Sequence, residues 1–207
     1  MLGVYNYTVL MTYLGMLIGY MGITFALHGD IQIALFCLMG SGFCDMFDGK
    51  IASTKKDRTV QEKRFGIQID SLSDLICFGV LPAVIVYMAC EQSSLAFYVS
   101  GAYVLCALIR LAWFNVDEEE RQNTTDSARS YYLGLPVTTA ALFLPTILGA
   151  SLHYRWNNRI LAPIVLTCMG CAFLTPFKLK KPELAGKIGV LFMGALELVI
   201  LLAGVDL

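Results

Sequence analysis

Seven stretches of this 207-residue chain are apolar over nearly the length a helix needs to cross a bilayer: residues 7–27, 31–47, 67–90, 94–116, 131–152, 159–176 and 187–205. A hydrocarbon core about 30 Å thick takes roughly 20 consecutive apolar residues as α-helix. Inside lipid the backbone must satisfy its own hydrogen bonds, which a helix does within one segment. The sequence therefore predicts an all-α fold, a polytopic membrane helical bundle of six to eight transmembrane helices. The count here is seven, with the sixth stretch short and interrupted by Pro163. Residues 1–207 are expected to form a single domain. Composition agrees, since 57% apolar and 15% charged residues leave too little polar surface for a water-soluble domain. The opening residues MLGVYNYTVL carry no basic region ahead of the apolar run. The first stretch is accordingly read as a retained span and not a cleaved leader.

Charge sets the expected orientation. Threading seven spans puts the polar connections 49–66, 117–130 and 177–186 on one side of the membrane. Of the 15 Lys and Arg residues, all but Arg155 and Arg159 fall on that side. Basic loops stay in the cytoplasm, so the chain is expected to be integral to the cell (cytoplasmic) membrane with these connections facing the cytoplasm. The net charge of −1 is uninformative by itself, and no nucleic-acid partner is expected. Seven cysteines lie scattered among apolar residues. Cys168 and Cys171 form a CxxC without a partner pair, and all seven read as small core residues. Gly15 and Gly19 give a GxxxG spacing in the first span, a pattern that brings helices close.

The chemistry is concentrated between Cys44 and Ala83. Asp45 and Asp48 are three apart near the end of the second span, and Asp70 and Asp74 are four apart early in the third. Each spacing puts its pair on one helical face, so two neighbouring helices can present four carboxylates to one another. Ionisable groups at membrane depth are costly and mark function, and four converging carboxylates repel unless cations neutralise them. All-oxygen ligands suit Mg²⁺, Mn²⁺ or Ca²⁺, and two such ions per site are a recurrent device for phosphoryl transfer. Gly49 and Gly66 flank the pairs and leave room for a phosphorylated ligand. Between them runs a basic loop with Lys50, Lys55, Lys56, Arg58, Lys63 and Arg64, suited to an anionic nucleotide or to lipid headgroups.

Asp45-x2-Asp48-Gly49-x2-Ala52 followed by Gly66-x3-Asp70-x3-Asp74 resembles the signature DxxDGxxAR…GxxxDxxxD of the CDP-alcohol phosphatidyltransferases, with seven of its eight defined positions in order. Ser53 stands where the signature has arginine, and the twelve residues 54–65 make a spacer longer than the signature's. Further matches point to one branch of that family, the membrane-type phosphatidylserine synthases. They are Phe65-Gly66 with Asp70-Ser71-Leu72-Ser73-Asp74, Phe78-Gly79-Val80-Leu81-Pro82-Ala83, Arg110 to Val116, and Tyr132-Leu133-Gly134-Leu135-Pro136.

The resemblance implies an enzyme, a CDP-diacylglycerol–serine O-phosphatidyltransferase. It would move a phosphatidyl group from CDP-diacylglycerol to the hydroxyl of L-serine, giving phosphatidylserine and CMP with metal assistance. Asp45, Asp48, Asp70 and Asp74 would hold two Mg²⁺ or Mn²⁺ ions, Ca²⁺ being a non-productive occupant, and Asp74 would also act as catalytic base. Gly49, Ala52, Gly66, Lys55 and Arg58 are the donor-binding candidates, and Arg110 and Asn115 the acceptor-binding ones. Membrane lipids and a second copy of the chain, in a homodimer, are the expected partners. Glycerol 3-phosphate or inositol phosphate as acceptor, or an archaeal-type ether lipid as donor, are the alternatives within the family. A divalent-cation transporter is the alternative outside it, although its acidic path would have to continue across the bilayer.

Overall fold

The computed structural model describes residues 2–124, 131–154 and 157–180, with residues 194 and 199 beyond them. Helix α1 (Leu10–His28) follows a short 3₁₀ turn capped by Asn6, whose side chain accepts from the Thr8 amide. It stops at Gly29, which takes a left-handed φ of +92° and returns its N–H to Ala26. Glycine makes that conformation at no steric cost. Helix α2 (Ile31–Thr54) leads to the basic loop, and Thr59 opens α3 (Val60–Asp74). Here a capping box operates: Glu62 N–H donates to Thr59 Oγ1 at 3.1 Å, and the Thr59 N–H donates to Glu62 Oε2 at 2.8 Å.

Helix α3 does not end at Asp74. It widens into a π-helical turn over Leu75–Val80 and continues as α4 (Leu81–Ala89), one uninterrupted rod from Val60 to Ala89. Pro82 supplies no N–H to the carbonyl four residues before it, that of Phe78. The buried Tyr103 hydroxyl donates to that oxygen at 2.8 Å, and Ser100 Oγ braces Ala83 O at 2.9 Å. Both donors sit on α5 (Ser94–Thr124), reached through a tight reversal in which Glu91 and Gln92 have φ of 50° and 56°.

Helices α6 (Ala140–Tyr154) and α7 (Asn158–Leu174) are the last helices of the bundle among the described residues up to 180. Helix α1 packs chiefly on α2, α5 on α7, and α2 on α6. The core runs through Leu35, Leu38, Phe78, Leu81, Ile85, Tyr103, Leu144 and Leu166. The GxxxG of the first span is a real seam. A Cβ at Gly15 would stand 3.0 Å from Cys44 Cβ, and one at Gly19 would stand 2.5 Å from Cys77 Sγ. Gly22 extends the stripe against Cys37 and Leu81.

The bundle is mostly helical, as expected. Among the described residues four helices are long and apolar enough to cross a membrane: Tyr7–His28, Ile31–Thr54, Val60–Ala89 and Ser94–Glu120. Helices α6 and α7 hold 15 and 17 residues, each with an internal proline, Pro145 and Pro163. At 1.5 Å per residue they reach about 22–26 Å, short of the hydrocarbon thickness. The seventh stretch, 187–205, lies outside the described residues apart from 194 and 199. One short strand pair accompanies the helices. Strand β1 (Tyr131–Leu133) pairs antiparallel with β2 (Lys178–Lys180), in the register Tyr131 opposite Lys180 and Leu133 opposite Lys178. The stretch 131–152 therefore begins as strand, because Gly134, at φ +74°, turns the chain where its N–H reaches Phe177 O at 2.7 Å.

Candidate active site

Helices α2 and α3 place the four aspartates against each other across their packed faces. Carboxylate oxygens of Asp45, Asp70 and Asp74 all lie within 4.8 Å of one another. Across the two helices Asp45 neighbours Asp74 and Asp48 neighbours Asp70. The surrounding cleft is lined by Thr12, Gly15, Ser41, Ser73, Cys77 and Phe78 besides the aspartates. The Cys77 thiol there is turned to the Gly15 carbonyl and no imidazole lines the cleft, so the carboxylate oxygens are the ligand set, one that fits a hard divalent cation. Packed this closely, carboxylates are stable together only if positive charge or protons offset their repulsion.

The first helix contributes what the sequence reading overlooked. Thr12 Oγ1 donates to Asp48 Oδ2 at 3.0 Å, with Thr12 only 7% and Asp48 only 9% exposed. Ser73 Oγ reaches the Thr12 carbonyl at 3.5 Å and Cys77 Sγ the Gly15 carbonyl at 3.4 Å, tying α3 to α1 beside the cluster. The available signal was a hydroxyl at position 12, in phase with Gly15, Gly19 and Gly22 on one face of an apolar helix.

The donor-binding candidates divide. Gly49 is exposed, and a Cβ there would meet nothing within 4 Å, so the α2 backbone lies open beside Asp48. Ala52 is half-buried one turn later. The space at Gly66 is filled by Arg58, whose Nη2 would stand 2.6 Å from an added Cβ. Lys55 is engaged elsewhere. Its Nζ pairs with Glu62 Oε1 at 2.7 Å, and Asn6 Nδ2 donates to the same oxygen at 2.8 Å. The hydrogen bond that Lys55 donates to Glu62 holds its ammonium above the usual range. Glu62 thus serves as cap, ion-pair partner and acceptor at once, a role foreshadowed by the T-x-x-E spacing of Thr59 and Glu62.

The acceptor-binding candidates lie on α5. Asn115 Oδ1 accepts from Ser71 Oγ at 2.8 Å, which joins it to the turn of α3 between Asp70 and Asp74. Arg110, 6% exposed, donates from Nε to Leu135 O at 3.4 Å and lies 5.7 Å from the centroid of Phe114. At five residues apart the two point in directions about 140° different around α5.

A family model described as CDP-alcohol phosphatidyltransferase matches residues 5–175, from the first turn to the end of α7. The chain belongs to the CDP-alcohol phosphatidyltransferase family. Among curated proteins it is similar to the CDP-diacylglycerol–serine O-phosphatidyltransferase of Saccharomyces cerevisiae, 37% identical over 111 residues, 53% of this chain and 38% of that one. The enzyme of the same name from Helicobacter pylori is 30% identical over 158 residues, 74% of this chain and 62% of that one. The archaetidylserine synthase of Methanothermobacter thermautotrophicus is 33% identical over 125 residues, 60% of this chain and 49% of that one. This CDP-alcohol phosphatidyltransferase chain therefore matches less than two thirds of the length of each of these relatives.

Proposed function

We propose that this protein transfers the phosphatidyl group of CDP-diacylglycerol to the hydroxyl of L-serine, releasing phosphatidylserine and CMP. The observation that carries the proposal is the convergence of Asp45, Asp48, Asp70 and Asp74 from two helices into one cleft. Family membership gives the reaction class, and the names of the relatives favour serine as acceptor.

In this reading the four aspartates hold two divalent cations, Mg²⁺ or Mn²⁺. Bound there, the cations supply the positive charge that offsets the donor pyrophosphate and the departing CMP. Gly49 and Ala52 let the nucleotide lie against α2. Asp74, next to the π-helical turn, takes the proton from the serine hydroxyl. The serine oxygen forms the new bond to the lipid-side phosphorus as the bond to CMP breaks, and the proton leaves through Asp74. Asn115, fixed by Ser71, and the buried cation Arg110 are assigned to the polar ends of serine. Apolar exposed faces such as Leu10, Leu14, Leu17 and Phe97 suit contact with membrane lipid. The cytoplasmic orientation of the cleft, a homodimer and a single domain over 1–207 belong to the same reading.

The test uses detergent-purified protein with CDP-diacylglycerol, Mn²⁺ or Mg²⁺ and labelled serine. The expected result is label in the lipid phase with matching CMP release, both lost in Asp70→Asn and Asp74→Asn. CMP release with glycerol 3-phosphate but not serine would overturn the acceptor assignment. Normal serine transfer by Asp74→Asn would overturn the base assignment.

A further inference from the structure

We propose that Arg58, seated in the space left by Gly66, is the guanidinium that grips a phosphate of the cytidine nucleotide donor. The proposal rests on the donor assignment above and goes beyond it by separating Arg58 from the other cations of the loop. Arg58 Nη2 donates to the Glu62 carbonyl at 3.2 Å, which folds the side chain back along the first turn of α3. Its Nε is buried and has no hydrogen-bond partner among the described residues. A buried guanidinium nitrogen without an acceptor is expensive, and an anion seated there would satisfy it.

Position selects the ligand. Gly66, Asp70 and Asp74 are spaced by four on α3, so the guanidinium over Gly66 lies one turn, about 6 Å, from Asp70 along the helix. A diphosphate whose one end meets the carboxylate cluster through cations would present its other oxygens at that distance. The neighbouring side chains do not compete for this role. Lys55 is bound to Glu62, Lys56 is exposed, and the Ser53 hydroxyl is turned back onto its own helix at Lys50 O, 2.7 Å. Position 53 is where the family signature carries arginine, and here the longer spacer delivers one from the opposite end of the loop.

Gly66 acquires a specific purpose in this arrangement. A methyl at 66 meets the far end of a flexible side chain, so Gly66→Ala evicts the guanidinium without disturbing helix packing. The experiment measures CDP binding to detergent-solubilised protein with Mn²⁺ by calorimetry, and in parallel the KM for CDP-diacylglycerol. Arg58→Ala is expected to weaken CDP about 10- to 100-fold, the usual range for a lost charge-assisted contact. Arg58→Lys should recover part of the loss, since it keeps charge but not the planar fork. Gly66→Ala should weaken CDP in the wild-type background and add nothing to Arg58→Ala, and Ser53→Arg should partly rescue Arg58→Ala.

Equal CDP affinity in wild type and Arg58→Ala overturns the proposal. So does an additive Gly66→Ala, which would mean that the ligand touches the Gly66 backbone directly. Loss of binding to phosphatidylglycerol micelles with CDP binding intact would make Arg58 a headgroup contact and overturn it as well. Serine transfer is read separately. If CDP binds through Arg58 but serine is not transferred, the acceptor assignment fails and this one stands. If wild type binds no CDP, both fail.

Discussion

Replacing Thr12 with valine removes one hydroxyl and almost no volume, which isolates the hydrogen bond to Asp48. That bond is 3.0 Å long, and its two residues are only 7% and 9% exposed, so water cannot take over the lost donor. Hydrogen bonds to charged acceptors contribute about 1.5–3 kcal/mol. Groups that orient a metal ligand typically change metal affinity about 10- to 100-fold. The two figures agree, because 1.4 kcal/mol is about a factor of ten. Thr12→Val should therefore raise the Mn²⁺ concentration for half-maximal activity roughly 10- to 100-fold, with a smaller change at saturating metal. Thr12→Ser keeps the donor and should stay near wild type. Thr24 lies on the same helix, where its hydroxyl donates to Met21 O far from the cluster, and Thr24→Val should leave the Mn²⁺ requirement unchanged. The assay is CMP release across a Mn²⁺ titration, paired with free-Mn²⁺ measurement by electron paramagnetic resonance. An unchanged Mn²⁺ midpoint in Thr12→Val would show that Asp48 does not depend on α1 for its orientation and would refute the reasoning.

Three further outcomes are expected. Gly19→Ala pushes a methyl to within 2.5 Å of Cys77 Sγ and should cost about 1–3 kcal/mol by overpacking, seen as a lower unfolding temperature in detergent. An unchanged melt would mean that α1 can slide. Tyr103→Phe strips the donor from Phe78 O and should destabilise by about 1–3 kcal/mol, with hydrogen exchange rising around Leu75–Val80 in particular. Uniform exchange would argue against a local brace. Because Lys55 titrates above its ordinary range when paired with Glu62, the stability it lends is fully present below that range and is lost only as pH rises past it. The difference in melting between wild type and Lys55→Met should be flat from pH 7 to 9, and a decline inside that window would contradict the pairing.

The cluster itself was legible because its spacing is a helical period and its residues are costly in lipid. Asp45 with Asp48, and Asp70 with Asp74, needed only the rule that residues three and four apart share a face. The contribution of Thr12 was not legible in that way, since it comes from a separate helix whose register is fixed by glycines. Their role shows only once Cys44 and Cys77 are seen filling the notches. Hydropathy registers apolar content and is blind to where a helix starts. Thus 131–152 scored as one stretch although Gly134 and Pro136 divide a strand from a helix. Basic residues in the loop looked interchangeable on paper. Glu62 separates them, engaging Lys55 by its side chain and Arg58 by its carbonyl.

The widened turn at Leu75–Val80 changes how the chain should be compared with its kin. A π-helical turn is, in effect, a surplus residue spliced into a regular helix. The two halves of the Val60–Ala89 rod therefore keep facings that a plain α-helix would give only with one residue fewer between them. A relative lacking the surplus residue would superpose on both halves only with a one-residue gap inside this stretch. A gap-free pairing through it would rotate Leu81 and Ile85 by about 100° relative to Asp70 and Asp74.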